Sequence, residues 1–318
     1  MLRVILIVVL SFIIFSFAIT KIIYNMIFKR YDIKTDEVTS DFFKDDDRIY
    51  IETEDGKITA YLTDAADFAD NDTLLLIVPG LHAVSEDYAL VGEYFTGKGY
   101  DVAVFDPIGS GESEGKSYKT FSQITKDTVN VLNYLENNYR YDKICLFGHS
   151  RGAYGAITAA DDKVDAIVSV SGYNSAMDAI MAEPVQYVGN LAFGNYPFLW
   201  AYQVMLCGVD AVNANCYKIA FEMDVPVLII QGKDDKSCRY DRFSLYNEVC
   251  EQAGKVGAEA GGSSVMSYDI DTDGDEDFAL MLRSEEGSNG HTDLMYDGEE
   301  IDTGLFDAIN DFYLGYVE

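Results

Sequence analysis

Short apolar runs and helix-periodic stretches alternate along most of this chain, and that order leaves few architectures open. Arg48 to Thr53 and Ile58 to Leu62 flank Glu54-Asp55-Gly56-Lys57, apolar runs around an Asp-Gly turn that predict a hairpin. The run Thr73 to Val78 leads into a helical stretch, Ser85 to Gly97. The run Tyr100 to Phe105 then leads into a helix-periodic stretch, Thr120 to Tyr139. Lys143 to Phe147, Gly152 to Ala160 and Val164 to Val170 repeat the pattern, and Val225 to Ile230, Phe243 to Ala253, Phe278 to Leu282 and Gly304 to Tyr316 complete it. Runs too short to be helices, separated by amphipathic stretches, specify an α/β protein with a mostly parallel central sheet flanked by helices.

The start of the chain breaks this pattern. Val4 to Thr20 carries no charge over seventeen residues, and apolar character resumes after Lys21 as far as Phe28. That is membrane length. No small-residue cleavage pattern follows the run, so an uncleaved N-terminal transmembrane helix is expected over residues 1–30, with residues 31–47 as a polar linker and residues 48–318 as the catalytic body. Arg3 ahead of the run suits a signal anchor with an extracytoplasmic body, whereas Lys21, Lys29, Arg30 and Lys34 behind it argue for the opposite orientation.

Charge narrows the partners. The chain has 23 Lys and Arg against 54 Asp and Glu, a formal net charge of −31. So acidic a body repels phosphate backbones and anionic headgroups, which excludes nucleic acid as a partner and leaves the N-terminal helix as the membrane contact. On this reading, deleting residues 1 to 30 should release a soluble, active enzyme. Of the five cysteines, Cys207 can pair with Cys216 and Cys238 with Cys250, while Cys145 lies in an apolar run. Free thiols are the alternative. No spacing resembles a zinc site, and neither metal nor cofactor is expected. Asp269 to Gly274 matches the first half of a calcium loop, but Leu280 stands where the bidentate Glu is required. It reads as a solvated acidic loop.

Chemistry enters with Gly148-His149-Ser150-Arg151-Gly152, which follows the apolar run KICLF and precedes a helical stretch. This Gly-x-Ser-x-Gly pattern in a strand–turn–helix setting raises a serine hydroxyl above the sheet, and Gly148 and Gly152 are required because side chains there would collide. A serine needs a base and an orienting acid, in the order Ser, Asp, His. Asp235, after the strand VPVLIIQG, is chosen over Asp234 as the acid, and His291, the only histidine after Ser150, is the base. The oxyanion donors are the N–H of Arg151 and that of Leu81, just beyond Pro79-Gly80. His82 either polarises that loop or is a satisfied surface histidine.

From Arg48 to Tyr316 these residues resemble the α/β-hydrolase fold family, and more narrowly its bacterial membrane-anchored serine hydrolases with lysophospholipase-like or serine-aminopeptidase-like sequences. Asp106-Pro107-Ile108-Gly109-Ser110-Gly111-Glu112-Ser113 matches the family's loop after the next strand, and Pro79-Gly80 stands where members carry His-Gly. The resemblance implies a cap over residues 173–223, whose large apolar residues include Tyr187, Phe198 and Trp200, expected to line a pocket for an apolar acyl or alkyl group. It implies a serine hydrolase of small-molecule carboxylic esters. A peptidase is the alternative within the enzymes, and an inactive binding module is the alternative outside them.

Overall fold

In the computed structural model, residues 1–32, 42–43, 47–65, 72–223, 225–252, 267–269, 278–283 and 290–317 are described. Helix α1 (Leu2–Ile27) is followed by the hairpin β1 (Arg48–Thr53) and β2 (Gly56–Thr63). Then come β3 (Thr73–Val78), α2 (Ala89–Gly97), β4 (Asp101–Phe105), α3 (Gln123–Asn138), β5 (Lys143–His149), α4 (Arg151–Ala159) and β6 (Ala166–Val170). The cap supplies α5 (Ala176–Val188), α6 (Tyr196–Cys207), α7 (Val209–Asn213) and α8 (Cys216–Met223). β7 (Val227–Gly232), α9 (Leu245–Gln252), β8 (Ser267–Asp269), β9 (Phe278–Arg283), a two-stranded ribbon of β10 (Tyr296–Asp297) with β11 (Glu300–Ile301), and α10 (Thr303–Val317) close the order.

One nine-stranded sheet runs β1-β2-β4-β3-β5-β6-β7-β9-β8. β4, β3, β5, β6, β7 and β9 are parallel, with the first hairpin and β8 antiparallel at the edges. The hairpin turns tighter than its composition predicts: Thr53 opposes Gly56, so Gly56 and Lys57 belong to the strand. β8 and the β10–β11 ribbon are too short to leave an apolar signature. Strand periodicity splits the core into two layers. Leu74, Leu76 and Val78 of β3 face α3, α4 and the cap, while Leu75 and Ile77 face α2 and α10 through Val91, Phe95, Phe306 and Tyr313.

Helix α1 is long and apolar enough to cross a membrane. Its first fifteen residues are exposed apart from their helical neighbours, yet Ser16, Thr20, Tyr24 and Phe28 are buried. Spaced four apart, they form one stripe laid on the body. Tyr24 packs edge-on against Tyr202, and Asn195 donates to the Thr20 hydroxyl. The Arg30 guanidinium binds the carbonyls of Gly111, Ser113 and Gly115. One face of residues 16–31 is thus laid on the body, a contact hidden in the sequence because the apolar run encodes length but not which side chains find a neighbour. The expected linker falls mostly outside the described residues.

Candidate active site

β5 ends at the centre of the sheet and α4 starts one residue later, so Ser150 must reverse the chain direction alone. It does so at φ +56° and ψ −117°, with its N–H donated to the Val170 carbonyl at 2.8 Å. Such a φ is costly for a residue with a Cβ and persists where surroundings dictate it. Close approach explains the flanking glycines: a Cβ on Gly152 would collide with the Val78 carbonyl, and one on Gly148 with Ala153.

The Ser150 hydroxyl lies 3.0 Å from His291 Nε2, and His291 Nδ1 lies 2.7 Å from Asp235 Oδ2. With Nδ1–H donating to the carboxylate, Nε2 is free to accept the serine proton. Asp235 is buried, and its other oxygen accepts the N–H groups of Ser237 and Cys238 at 2.8 Å each, while Gln231 Nε2 approaches Oδ2 at 3.2 Å. Asp234 points outward. Leu81 borders the nucleophile, and Arg151 opens α4, so its N–H has no acceptor within the helix. The Arg151 side chain turns inward, its Nε and Nη2 donating to the carbonyls of Phe121 and Thr120.

Three contacts at this site had no sequence signature. The Gly80 N–H donates to the Tyr88 hydroxyl at 2.9 Å, that hydroxyl lies 3.1 Å from His149 Nδ1, and His149 Nε2 lies 3.2 Å from the His291 carbonyl. Burial and the neighbouring His291 push His149 down to about 3, so its ring is neutral. One tautomer satisfies all three contacts: Tyr88 donates to Nδ1, and Nε2–H donates to His291. The segments that carry Gly80, Ser150 and His291 are thereby linked. Ser171 Oγ adds a second donor to the His291 carbonyl at 3.1 Å. These partners lie far apart in sequence, so no local pattern could reveal them.

His82 is the satisfied surface histidine of the two expectations: it is exposed, and its Nε2 donates to the Ile27 carbonyl at 2.9 Å, which fastens the Gly80–Leu81 loop to the last turn of α1. The motif Asp106 to Ser113 is structural: the buried Asp106 carboxylate accepts from the N–H groups of Ser85 and Glu112 and from the Ser85 hydroxyl.

Two cavities meet at Ser150 and His291. One, of about 450 Å³, is lined by Ile27, Phe28, Phe121, Tyr173, Ile180 and Tyr187 among others. The second, of about 400 Å³, runs past Gly80, Tyr88, Met295 and Tyr296. Of the three expected pocket residues, Tyr187 is in the lining of the larger of these two cavities. Phe198 is placed edge-on against Phe12 and Phe17 of α1, and the Trp200 Nε1–H donates to Asn213, because α6 turns these rings to other neighbours. The cysteine pairs do not form: all five are free thiols, with Cys145, Cys216, Cys238 and Cys250 buried. Among the described residues no cluster of His, Cys, Asp and Glu could hold a metal. The calcium-like loop lies almost wholly outside them.

A profile of the serine aminopeptidase family S33 matches residues 69–174. No curated relative matches the sequence. Among solved structures, an esterase from Pyrococcus furiosus is similar with a TM-score of 0.62 and 18% identity over 92% of this chain and 98% of that one. Est1E from Butyrivibrio proteoclasticus, solved with ferulic acid bound, gives 0.59 and 18% over 85% and 99%. The acylaminoacyl peptidase of Pyrococcus horikoshii gives 0.53 and 13%, over 85% of this chain and 41% of that one.

Proposed function

Since the chain has the α/β-hydrolase fold, we propose that it is a serine hydrolase that cleaves carboxylic esters through an acyl-enzyme on Ser150. The observation that carries this reading is the relay from Ser150 through His291 to Asp235, at 3.0 and 2.7 Å. Ser150 Oγ attacks the ester carbonyl while His291 Nε2 takes its proton, and Asp235 holds the ring and stabilises its charged form. The N–H groups of Leu81 and Arg151 receive the oxyanion, where one donor is worth about 3–4 kcal/mol of barrier. His291 then returns the proton to the leaving alcohol. Water repeats the sequence on the acyl-enzyme, releasing the acid and restoring Ser150.

Ester over amide rests on the apolar side chains Ile27, Phe28, Phe121 and Ile180, which share the mixed lining of the larger cavity with its polar groups. One feature favours a peptidase as the second reading: Glu183 lies in that lining, where a carboxylate can pair with a peptide's ammonium group. We read α1 as a membrane anchor, supported by its length and by the burial of Thr20, Tyr24 and Phe28, which ties it to the folded body. The signal-anchor pattern at Arg3 favours an extracytoplasmic body, and protease shaving of intact cells tests the side.

The purified enzyme should react with a fluorophosphonate and turn over p-nitrophenyl acyl esters faster than aminoacyl anilides. Ser150→Ala should remove both signals, with a loss in kcat approaching ~10⁶. Preference for the anilides would select the peptidase, and a folded protein inert to the probe would be a binding module.

A further inference from the structure

We propose that the cap is immersed beside α1 in the same bilayer and that the substrate is an ester dissolved in that bilayer, reaching Ser150 without passing through water. The substrate half rests on the hydrolase reading above, whereas the immersion half stands on geometry.

The geometry starts at Phe198. This ring on α6 packs edge-on against Phe12 and Phe17, with centroids 6.0 and 5.5 Å away. Whatever surrounds the middle of α1 therefore surrounds the start of α6. The level midway between Phe12 and Phe17 lies about 8 Å up the helix from Thr20, at 1.5 Å per residue. Surface-lying helices sink their apolar faces ~5–10 Å into a membrane, so a span that places α1 in lipid places Phe198 at that depth.

The cap's composition fits lipid on its own. Residues 184–209 contain no Asp, Glu, Lys or Arg, in a chain that is 24% charged and carries −31 overall. Within that stretch Leu191 is 85% exposed, Met205 75% and Val188 54%. Large apolar side chains clustered on a surface mark a contact, and here the stretch continues into the membrane helix through Phe198. The acidic remainder of the body is repelled by anionic headgroups, which leaves the uncharged cap as the part that can approach them.

The larger cavity lies where α1 runs on from this junction, about 10 Å along the helix beyond Thr20. Ile27 and Phe28, where α1 ends, share its lining with Ala179, Ile180 and Tyr187 of the cap. An ester with a long apolar chain partitions into lipid by ~0.8 kcal/mol for every methylene, so its local supply is the bilayer around α1.

The chain's single tryptophan, Trp200, sits on α6 and reports the depth directly. Full-length protein is reconstituted into dioleoylphosphatidylcholine vesicles with and without acyl-brominated phosphatidylcholine. Immersion should lower Trp200 emission by roughly half in the brominated vesicles. Unchanged emission overturns the proposal, as does quenching that disappears when a rising protein-to-lipid ratio lets a second copy cover the cap. The double variant Leu191→Glu/Met205→Glu tests access. Hydrolysis of p-nitrophenyl palmitate held in vesicles should fall ~tenfold or more, while p-nitrophenyl acetate in water stays within ~twofold. Equal effects on the two esters overturn the access route. If the unaltered enzyme hydrolyses neither ester, the hydrolase reading fails, and Trp200 quenching still decides the immersion.

Discussion

Cutting the chain after residue 30 takes away more than a membrane segment, and a cut after residue 19 shows how much more. The longer deletion removes Tyr24 and Phe28, each 2% exposed, and the Arg30 side chain that gathers three carbonyls of the loop after β4. Emptying a buried aromatic site costs about 3–5 kcal/mol, so the two rings together represent ~6–10 kcal/mol. A whole domain is stable by only ~5–15 kcal/mol. The shorter deletion leaves both rings, Arg30 and the His82 link to Ile27 in place. Circular dichroism melts and fluorophosphonate labelling should therefore find the protein lacking residues 1–19 folded and reactive, and the protein lacking residues 1–30 largely unfolded and poorly labelled. Phe28→Ala in the shorter protein isolates one ring, and its Tm should fall by about 6–20 °C. Equal melting temperatures for the two deletions would refute the reasoning, and with it the inclusion of this segment in the core.

The acid assignment predicts that Asp235→Asn lowers kcat by up to ~10⁴ through the wrong His291 tautomer, while Asp234→Asn changes it little; steady-state kinetics on both decide. His149 makes stability pH-dependent. Its folded pKa near 3 lies below the ordinary 6.5, so at this group the unfolded chain binds more protons between those values, and the His149 contribution to stability falls by ~1.4 kcal/mol per unit as pH drops through that window, while buried Asp127 and Asp178, raised to about 6, act in the opposite sense. Urea titrations should show the stability difference between the wild type and His149→Gln changing with that slope across the window, and a constant difference would refute it. Gly152→Ala should abolish labelling by fluorophosphonate, because its Cβ meets the Val78 carbonyl and displaces the turn; a folded, reactive variant would count against that packing.

The sheet was legible because its central strands are buried on both faces and read as unbroken apolar runs, and the triad because each member follows such a run. Asp235 could be preferred over Asp234 by spacing alone. Other features depend on partners that no local pattern names, as Phe198 depends on Phe12 and His149 on His291. Nothing near Phe198 or Trp200 states which way α6 turns its rings, and an aromatic helix looks the same whether it lines a pocket or leans on another helix. Tyr88, His149 and Gln231 are unremarkable locally and gain their significance only where β5, β7 and the base loop converge. The contact of α1 with the body was illegible for a similar reason, since its hydrophobicity is uniform while its burial is confined to every fourth residue.

Gly232 and Gly290 touch so closely that a Cβ on Gly232 would collide with the Gly290 carbonyl, and one on Gly290 would press on the Asp235 amide. Together with the two donors on the His291 carbonyl, this contact fixes the base from its own end of the chain. From the other side, Arg283 of β9 accepts the Lys233 N–H and donates to the Leu294 carbonyl, so the acid and the base are held against the same strand. A side chain at Gly232 or Gly290 should therefore silence the enzyme while every member of the relay stays chemically intact, a loss whose origin no inspection of the reacting groups would disclose.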